Sequence, residues 1–527
     1  MAHDNRLLRA LLTTAVLLLT AVGAGCSQDW PSFRHNNLRT AAQLEDTALS
    51  DPAQVPNLAI RWTFTPPGAP NNRFRASPIV FNGRVYVGNQ NGHFYALNSD
   101  TGAVVWQYPA AASPGFSSQF QCNASSQGLA SSATIARING TDAVIFGGPD
   151  QSFGTGLGEG RLFALNAATG AEIWKSPVVA RLTGLTGGST SEFHQQIGYS
   201  SPLVFGDHVY VGVGDHCDNP IQKGRVVSVK LGDGTIEGAF SYCSTGTCAD
   251  SARGGGVWSS VAGFGQSLYV TTGNTKQMGV PEPSPNNGLS LLSLNKDTGA
   301  INWKFQPVPF ALDGDPDWAA SPTYMLASCG EIVISTMKDG WTHALTASTG
   351  ARRWTFPPAT IPFTSGVHGD SRYMRSGAAW DDVYIAMNGG LNLASSVSSG
   401  YRRLHAFNVC ANGNDRLRWL LDVPGTSGAV YSLGSPTVTS GVVYIGTDLG
   451  HLVAIADPSI FPADGFRCSN PAVANANCVS MGFTFVPQPH VLKDIQLDGR
   501  MVYTEPAIAR GRIYAATENG NLYMLSP

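Results

Sequence analysis

The stretch HFYALNSDTGAVVW, residues 93–106, decides the fold. Its first run alternates, with Phe94 and Ala96 on one face and Tyr95 and Leu97 on the other. Asp100, Thr101 and Gly102 then supply turn chemistry, and a second run ends at Trp106, so the stretch reads as a β-hairpin. The hairpin returns as RLFALNAATGAEIW (161–174), LSLLSLNKDTGAINW (289–303) and GWTHALTASTGARRW (340–354). Worn copies read RVVSVKLGDGTIEGAF (225–240) and RLHAFNVCANGNDRLRW (403–419).

Each copy follows another strand pair. The clear pairs are SPIVFNGRVYVG (77–88), SPLVFGDHVYVG (201–212), SPTVTSGVVYIG (435–446) and EPAIARGRIYAA (505–516). Looser ones lie at 131–148, 258–273, 321–336 and 375–387. Together they give eight units of up to four short strands, and such units must stack because none buries its faces alone. Arranged radially they make a β-propeller, whose ring protects the strand edges.

No segment sustains a capped 3.6-residue apolar period, so the class is all-β. The last unit reaches Pro527 after GNLYMLSP without an outer strand, whereas LAIRWTF (58–64) is an orphan strand that ends like the missing one. The expectation is an eight-bladed propeller of four-stranded antiparallel blades over residues 57–527, closed by this N-terminal strand. Trp62, Trp106, Trp174, Trp303, Trp354 and Trp419 recur near the repeat ends and are expected to pack between blades.

Composition agrees. Over 527 residues only 13% are charged, against about 25% in an average globular protein, while Gly (60) and Pro (32) are abundant. A net charge of −3 and the lack of any long Lys/Arg run argue against nucleic acid as a partner.

The first residues read as an address. Arg6 and Arg9 precede the apolar run LLTTAVLLLTAV, and small residues lead to Cys26, the order of a secretory signal over residues 1–25, with an extension over 26–56. Removing Cys26 from nine cysteines leaves eight, an even number suited to an oxidising compartment. Cys243 with Cys248 and Cys468 with Cys478 are the expected local pairs. Cys122, Cys217, Cys329 and Cys410 allow three connectivities, among which sequence does not choose.

GAGC (23–26) resembles a bacterial lipobox, with Gly23 where an aliphatic residue is usual. That resemblance implies acylation of Cys26 and a lipid-anchored protein of the cell envelope, at the outer membrane or facing the periplasm. Ordinary signal-peptidase cleavage is the alternative.

The recurrent strand, TG turn and terminal Trp resemble the tryptophan-docking repeat of the pyrroloquinoline quinone (PQQ) propeller superfamily, over nearly the whole stretch from DWPSFRHNNLRT (29–40) to the end. The superfamily holds quinoprotein alcohol dehydrogenases and cofactor-free scaffold lipoproteins such as BamB, so fold alone does not choose between them. GVWSSVAGFGQSLYVTTGN (256–274) is similar to the dehydrogenase segment in which a Trp lies under the quinone and an Asn helps hold the metal. This implies Trp258 as the stacking surface and Asn274 as a calcium ligand.

DGDPDWAASP (313–322) resembles the acidic segment of the polyvinyl alcohol dehydrogenase branch. It implies Asp317 as catalytic base and possible metal neighbour, with Asp315 beside the cofactor. STMKDGWTHAL (335–345) resembles the segment whose basic residue contacts the quinone oxygens, which gives Lys338 that role.

The departures are specific. No Cys-Cys pair occurs, and where a metal-ligating Glu is expected VGVGDHCDNPIQKGRV (211–226) offers Asp218 or Asp215. No CxxCH occurs, which leaves no covalent c-type haem and implies a separate electron acceptor. His194, His216 and His368 form no recognisable ligand set by spacing. The resemblance therefore implies PQQ with calcium and a small or polymeric alcohol as substrate. A cofactor-free envelope scaffold is the alternative.

Overall fold

Alternation and turn chemistry translate directly into register. In the opening stretch Phe94–Asn98 pairs antiparallel with Val104–Tyr108, and Ala96 stands opposite Trp106. The same Ala-to-Trp pairing recurs as Ala164 with Trp174, Ala344 with Trp354 and Ala406 with Trp419.

The computed structural model describes residues 28–67, 73–116, 128–150, 160–180, 197–214, 221, 223–246, 254–275, 287–307, 317–318, 320–338, 341–356, 376–387, 403–427, 433–468 and 485–527. Among them are eight four-stranded antiparallel sheets, one extra two-stranded sheet and two short 3-10 turns. The first strand of a blade is buried, as in Ile79–Phe81, and the fourth is largely exposed, as in Val104–Tyr108. Core therefore fills the spaces between blades, and the rim faces solvent.

The ring closes as expected. Ala59–Phe64 pairs antiparallel with Leu522–Ser526, so the N-terminal strand is the outer strand of blade 8 beside the last three strands of the chain.

The repeated Trp residues join neighbouring blades. Trp62, Trp106, Trp174, Trp303 and Trp354 donate their indole N–H to the carbonyls of Ser99, Ala167, Leu231, Ala347 and Val409, at 2.8–3.1 Å. Trp419 instead donates to the Asp457 carboxylate at 2.7 Å. The TG glycine is needed at such a junction. Gly170 has φ +74°, and a Cβ there would lie 2.7 Å from Trp106 Cδ2, so only glycine both adopts the turn and admits the ring.

Two blades depart from the repeat. In blade 3 the run after the turn at 232–234 makes only an isolated bridge, Ile236 with Val229, and the outer strand is the short Tyr242–Cys243. That run ends in Phe240 rather than Trp, and Phe240 packs against Tyr210 within its own blade, ring centroids 5.4 Å apart. In blade 7 the outer strand is His490–Gln496, preceded by the additional hairpin of Gly465–Cys468 with Phe485–Gln488.

A disulfide joins Cys329 to Cys410 and links the first turn of blade 5 to blade 6, selecting one of the connectivities left open by sequence. Cys243 is also disulfide-bonded. Cys248, Cys478, Cys122, Cys217 and Cys26 lie outside the described residues, as does the Cys468 side chain.

The segment after the expected signal runs along the inner strands. Trp30 bridges Val80 in blade 1, and the carbonyls of Pro31, Asn37, Leu38, Thr40 and Ala41 accept N–H groups from blades 2, 4, 5, 6 and 7. At its centre Arg34, wholly buried, donates from Nη1 to Glu505 Oε2 at 2.6 Å and from its backbone N–H to Oε1 at 2.8 Å. Arg34, His35, Arg39 and Ala41 all have positive φ, so the chain turns tightly where it crosses the axis.

Candidate active site

Three of the motif residues meet at the inner ends of blades 4 and 5. Trp258 precedes the first strand of blade 4, Ala262–Phe264, and Asp317 precedes that of blade 5, Thr323–Ala327. Lys338 follows the second strand of blade 5, Gly330–Thr336. Its backbone N–H donates to the Asp317 carbonyl at 2.9 Å, which ties the two segments together.

The side chains then converge. Trp258 Nε1 donates to Asp317 Oδ2 at 3.1 Å, and Lys338 Nζ stands 2.6 Å from Asp317 Oδ1. The same ammonium lies 5.2 Å from the centroid of the Trp258 ring, in reach of a cation–π attraction. The Asp317 side chain is 2% exposed and that of Lys338 11%. A charge this deeply buried requires such a partner, since desolvation costs several kcal/mol per ion.

Asn274 follows the second strand of blade 4, Ser267–Thr271, and is buried. Its carbonyl accepts the Gly255 N–H at 2.7 Å. A Cβ on the adjacent Gly273 would stand 3.4 Å from Asp317 Oδ2, so this backbone lies against the carboxylate. Asp315, Asp215 and Asp218 fall outside the described residues, as do His194, His216 and His368. Among the described residues no group of three or more His, Cys, Asp or Glu is placed to hold a metal ion.

Sequence reasoning missed Arg75, Tyr199 and Tyr503. Arg75 Nη1 donates to the Tyr199 hydroxyl at 2.9 Å, and its guanidinium lies 4.5 Å from the Tyr503 ring centroid. The two tyrosine rings stack at 5.8 Å with a 17° interplanar angle, and Tyr199 meets Trp258 edge-on at 6.5 Å. Blades 1, 3, 4 and 8 thus each contribute one flat group to a platform at the axis.

A signal for it existed. Arg75, Tyr199, Trp258 and Tyr503 each stand two residues before the Ser or Glu that opens a blade, namely Ser77, Ser201, Ser260 and Glu505. The family resemblance drew attention to only one member of that register.

The donor set suits a planar, multiply anionic group better than a metal. The platform offers ring faces, the Arg75 cation and a buried Arg75 Nε that donates to no acceptor among the described residues. Lys338 supplies a second cation at its edge. For calcium the described donors are Asp317, already engaged by Lys338 and Trp258, and the neighbouring Asn274, which falls short of the six to eight oxygens calcium takes.

Known proteins place this geometry in context. Polyvinylalcohol dehydrogenase of Sphingopyxis sp. (strain 113P3) is 23% identical over 370 residues, 64% of this chain and 51% of that protein. Quinohemoprotein alcohol dehydrogenase of Comamonas testosteroni is 23% identical over 351 residues, 62% of this chain and 46% of that protein. The chain thus spans about half the length of the curated relatives it matches.

Among solved structures, a europium-containing methanol dehydrogenase superposes with a TM-score of 0.62 at 16% identity, over 95% of this chain and 99% of that one. BamB from Moraxella catarrhalis superposes with a TM-score of 0.52 at 12% identity, over 89% of this chain and 100% of that one. At these identities both likenesses speak for the fold alone.

The model of the PQQ family, described as the glucose/ethanol/alcohol dehydrogenase β-propeller domain, matches residues 30–375, a span that holds Arg75, Tyr199, Trp258, Asp317 and Lys338 but not Tyr503. The chain belongs to this PQQ β-propeller family.

Proposed function

We propose that the protein is a PQQ-dependent alcohol dehydrogenase-like oxidoreductase of the cell envelope, exported and anchored through a lipid on Cys26. The observation that carries the reading is the convergence of Trp258, Asp317 and Lys338, taken from two blades and joined by direct contacts. This acid, bridged to a lysine and an indole, lies at the inner strand ends, where a ligand entering along the axis would meet the partly exposed Trp258 ring.

In this reading Trp258 and the tyrosine rings support the cofactor face, while Lys338 and Arg75 balance its negative charge. Bound PQQ would supply the acceptor for the hydride leaving the carbinol carbon. Asp317 receives the hydroxyl proton. Oδ2 is the better acceptor, because it is held by a neutral indole donor at 3.1 Å, whereas Oδ1 faces the ammonium at 2.6 Å. The described residues do not complete a calcium site, so no step is assigned to the metal, and the expected ligands Asn274, Asp317 and Asp218 await its detection. Electrons leave to a separate acceptor.

Protein supplied with PQQ and calcium should reduce an artificial acceptor when given a primary or secondary alcohol, small or polymeric. Asp317→Asn should lower the chemical step by roughly 10²- to 10⁴-fold, the usual share of general-base catalysis. Trp258→Ala should weaken cofactor retention instead, since it removes a stacking surface. Cys26→Ser should release the protein from the membrane fraction. A wild type that neither binds PQQ by calorimetry nor oxidises any of a broad alcohol panel would sink the dehydrogenase reading and leave a cofactor-free scaffold.

A further inference from the structure

Beneath the platform the axis holds a small polar cavity of about 50 Å³. Its wall follows from the SP motif. The Glu505 N–H donates to Ser77 Oγ at 3.0 Å, Ser77 N–H to Ser132 Oγ at 2.8 Å, Ser260 N–H to Ser321 Oγ at 2.9 Å and Ser321 N–H to Ser376 Oγ at 2.8 Å. The opening serines of blades 1 to 6 thus each accept a hydrogen bond from the blade before, the chain running from Ser132 to Ser260 through Ser201.

The donor count is unbalanced. A hydroxyl that accepts one N–H still has its own proton to give. Ser77, Ser132, Ser260, Ser321 and Ser376 are buried and line the cavity, yet none donates to an acceptor among the described residues. Arg75 also lines it, with its buried Nε lacking an acceptor among those residues. The facing acceptor is the Glu505 carboxylate, both of whose oxygens already take bonds from Arg34.

Charge points the same way. Of the charged groups that line the cavity, Glu505 is already neutralised by the buried Arg34, and Arg75, though within the field of Glu518, keeps its Nε without an acceptor among the described residues. Buried donors without acceptors are unfavourable, so a cavity with this inventory calls for an acceptor from outside the chain. Its size admits a small one.

We propose that the axial cavity binds a small monovalent anion of halide size, chloride being the common one, held by the inward serine hydroxyls and Arg75. The site shares Arg75 and the platform rings with the proposed cofactor site, but it rests on the serine ring and stands whether or not that reading holds. The anion lies beneath the platform and satisfies donors that the ring geometry leaves over.

Crystals of the full chain purified in low-millimolar bromide in place of chloride should show an anomalous peak on the axis in contact with the serine hydroxyls. In solution the wild-type Tm should rise with the logarithm of bromide concentration, as expected for a ligand that binds only the folded state, with glutamate as the control anion. Arg75→Met should flatten that dependence. Density on the axis explained by water alone, or bromide found only as an adventitious ion on the outer surface, would overturn the proposal. A bromide dependence unchanged in Arg75→Met would overturn it as well.

Discussion

Two ion pairs lie near the propeller axis, and both have an N–O distance of 2.6 Å. Lys338 with Asp317 sits beside the partly exposed ring of Trp258; Arg34 with Glu505 is sealed, with both side chains fully buried. The guanidinium of Arg34 also donates to the carbonyls of Arg39 and Gly377. The plug pair is thus spent on joining the N-terminal segment to blades 6 and 8. The Asp317 pair lies where a ligand can reach its neighbours. The same interaction serves architecture in one place and, in the proposed function, chemistry in the other.

The largest expected effect breaks the comparison directly. Glu505→Ala leaves Arg34 buried without its carboxylate, which should cost about 3–5 kcal/mol, whereas Asp317→Asn keeps a polar partner for the slightly more exposed Lys338 and should cost less, about 1–3 kcal/mol. Urea unfolding of both variants measures this. Equal losses would show that the two pairs do the same work. Burial pushes the Glu505 carboxyl up against the opposing pull of Arg34, so Glu505→Gln should be milder than the alanine variant.

What was legible in the sequence divides along the same line. The rim was readable because the Trp junctions repeat: Trp106 finds Ala167 as Trp303 finds Ala347, and repetition is what periodicity detects. Blade 3 was legible as a worn copy over 225–240, but its outer strand was not, because the run lacks the Trp and the strand falls later, at Tyr242–Cys243. At the axis the opposite holds. Glu505 stands where most blades have Ser, and Arg34 contacts it across 471 residues, so its meaning appears only when the ring is closed. Trp258, Asp317 and Lys338 were reachable through family motifs, but Tyr199, Tyr503 and Arg75 were not, because no motif marks them and only their shared register does.

A smaller effect concerns the covalent link between blades 5 and 6. Replacing Cys329 and Cys410 by serine removes a bridge between residues 81 apart, which should cost about 2–4 kcal/mol by releasing the unfolded chain. The activity of the reconstituted protein should survive at a temperature well below the new Tm. Loss of activity without loss of stability would tie this edge of blade 5 to the Asp317 site.

Next in size is a pH effect close to the candidate site. His343 lies within a cage of Phe305, Trp318 and Trp341, where burial, helped by the Arg352 charge, pulls its pKa down to about 3. Below pH 6.5 the unfolded chain takes up a proton that the folded chain refuses until about pH 3. Stability from this residue is therefore present above pH 6.5 and falls by about 1.4 kcal/mol per pH unit as pH drops through that window. His343→Phe, which copies the Phe163 of blade 2 at the same register, should remove this part of the acid sensitivity. An unchanged difference between pH 6.5 and pH 4 would show that His343 already titrates normally.

The smallest effect belongs at the rim, where the junctions look alike and differ in one atom. Trp106→Phe keeps an aromatic ring against Gly170 and loses one N–H bond to the Ala167 carbonyl, so it should cost about 0.5–1.5 kcal/mol. Trp419 donates to a carboxylate, Asp457, which Arg418 grips with two further bonds at 2.9 and 2.6 Å. A bond to a charged acceptor is worth more, about 1.5–3 kcal/mol, and Asp457 is wholly buried. Trp419→Phe should therefore cost roughly twice as much as Trp106→Phe in the same urea titration. Equal costs would mean that Arg418 alone satisfies Asp457 and that the sixth junction is as neutral as the rest.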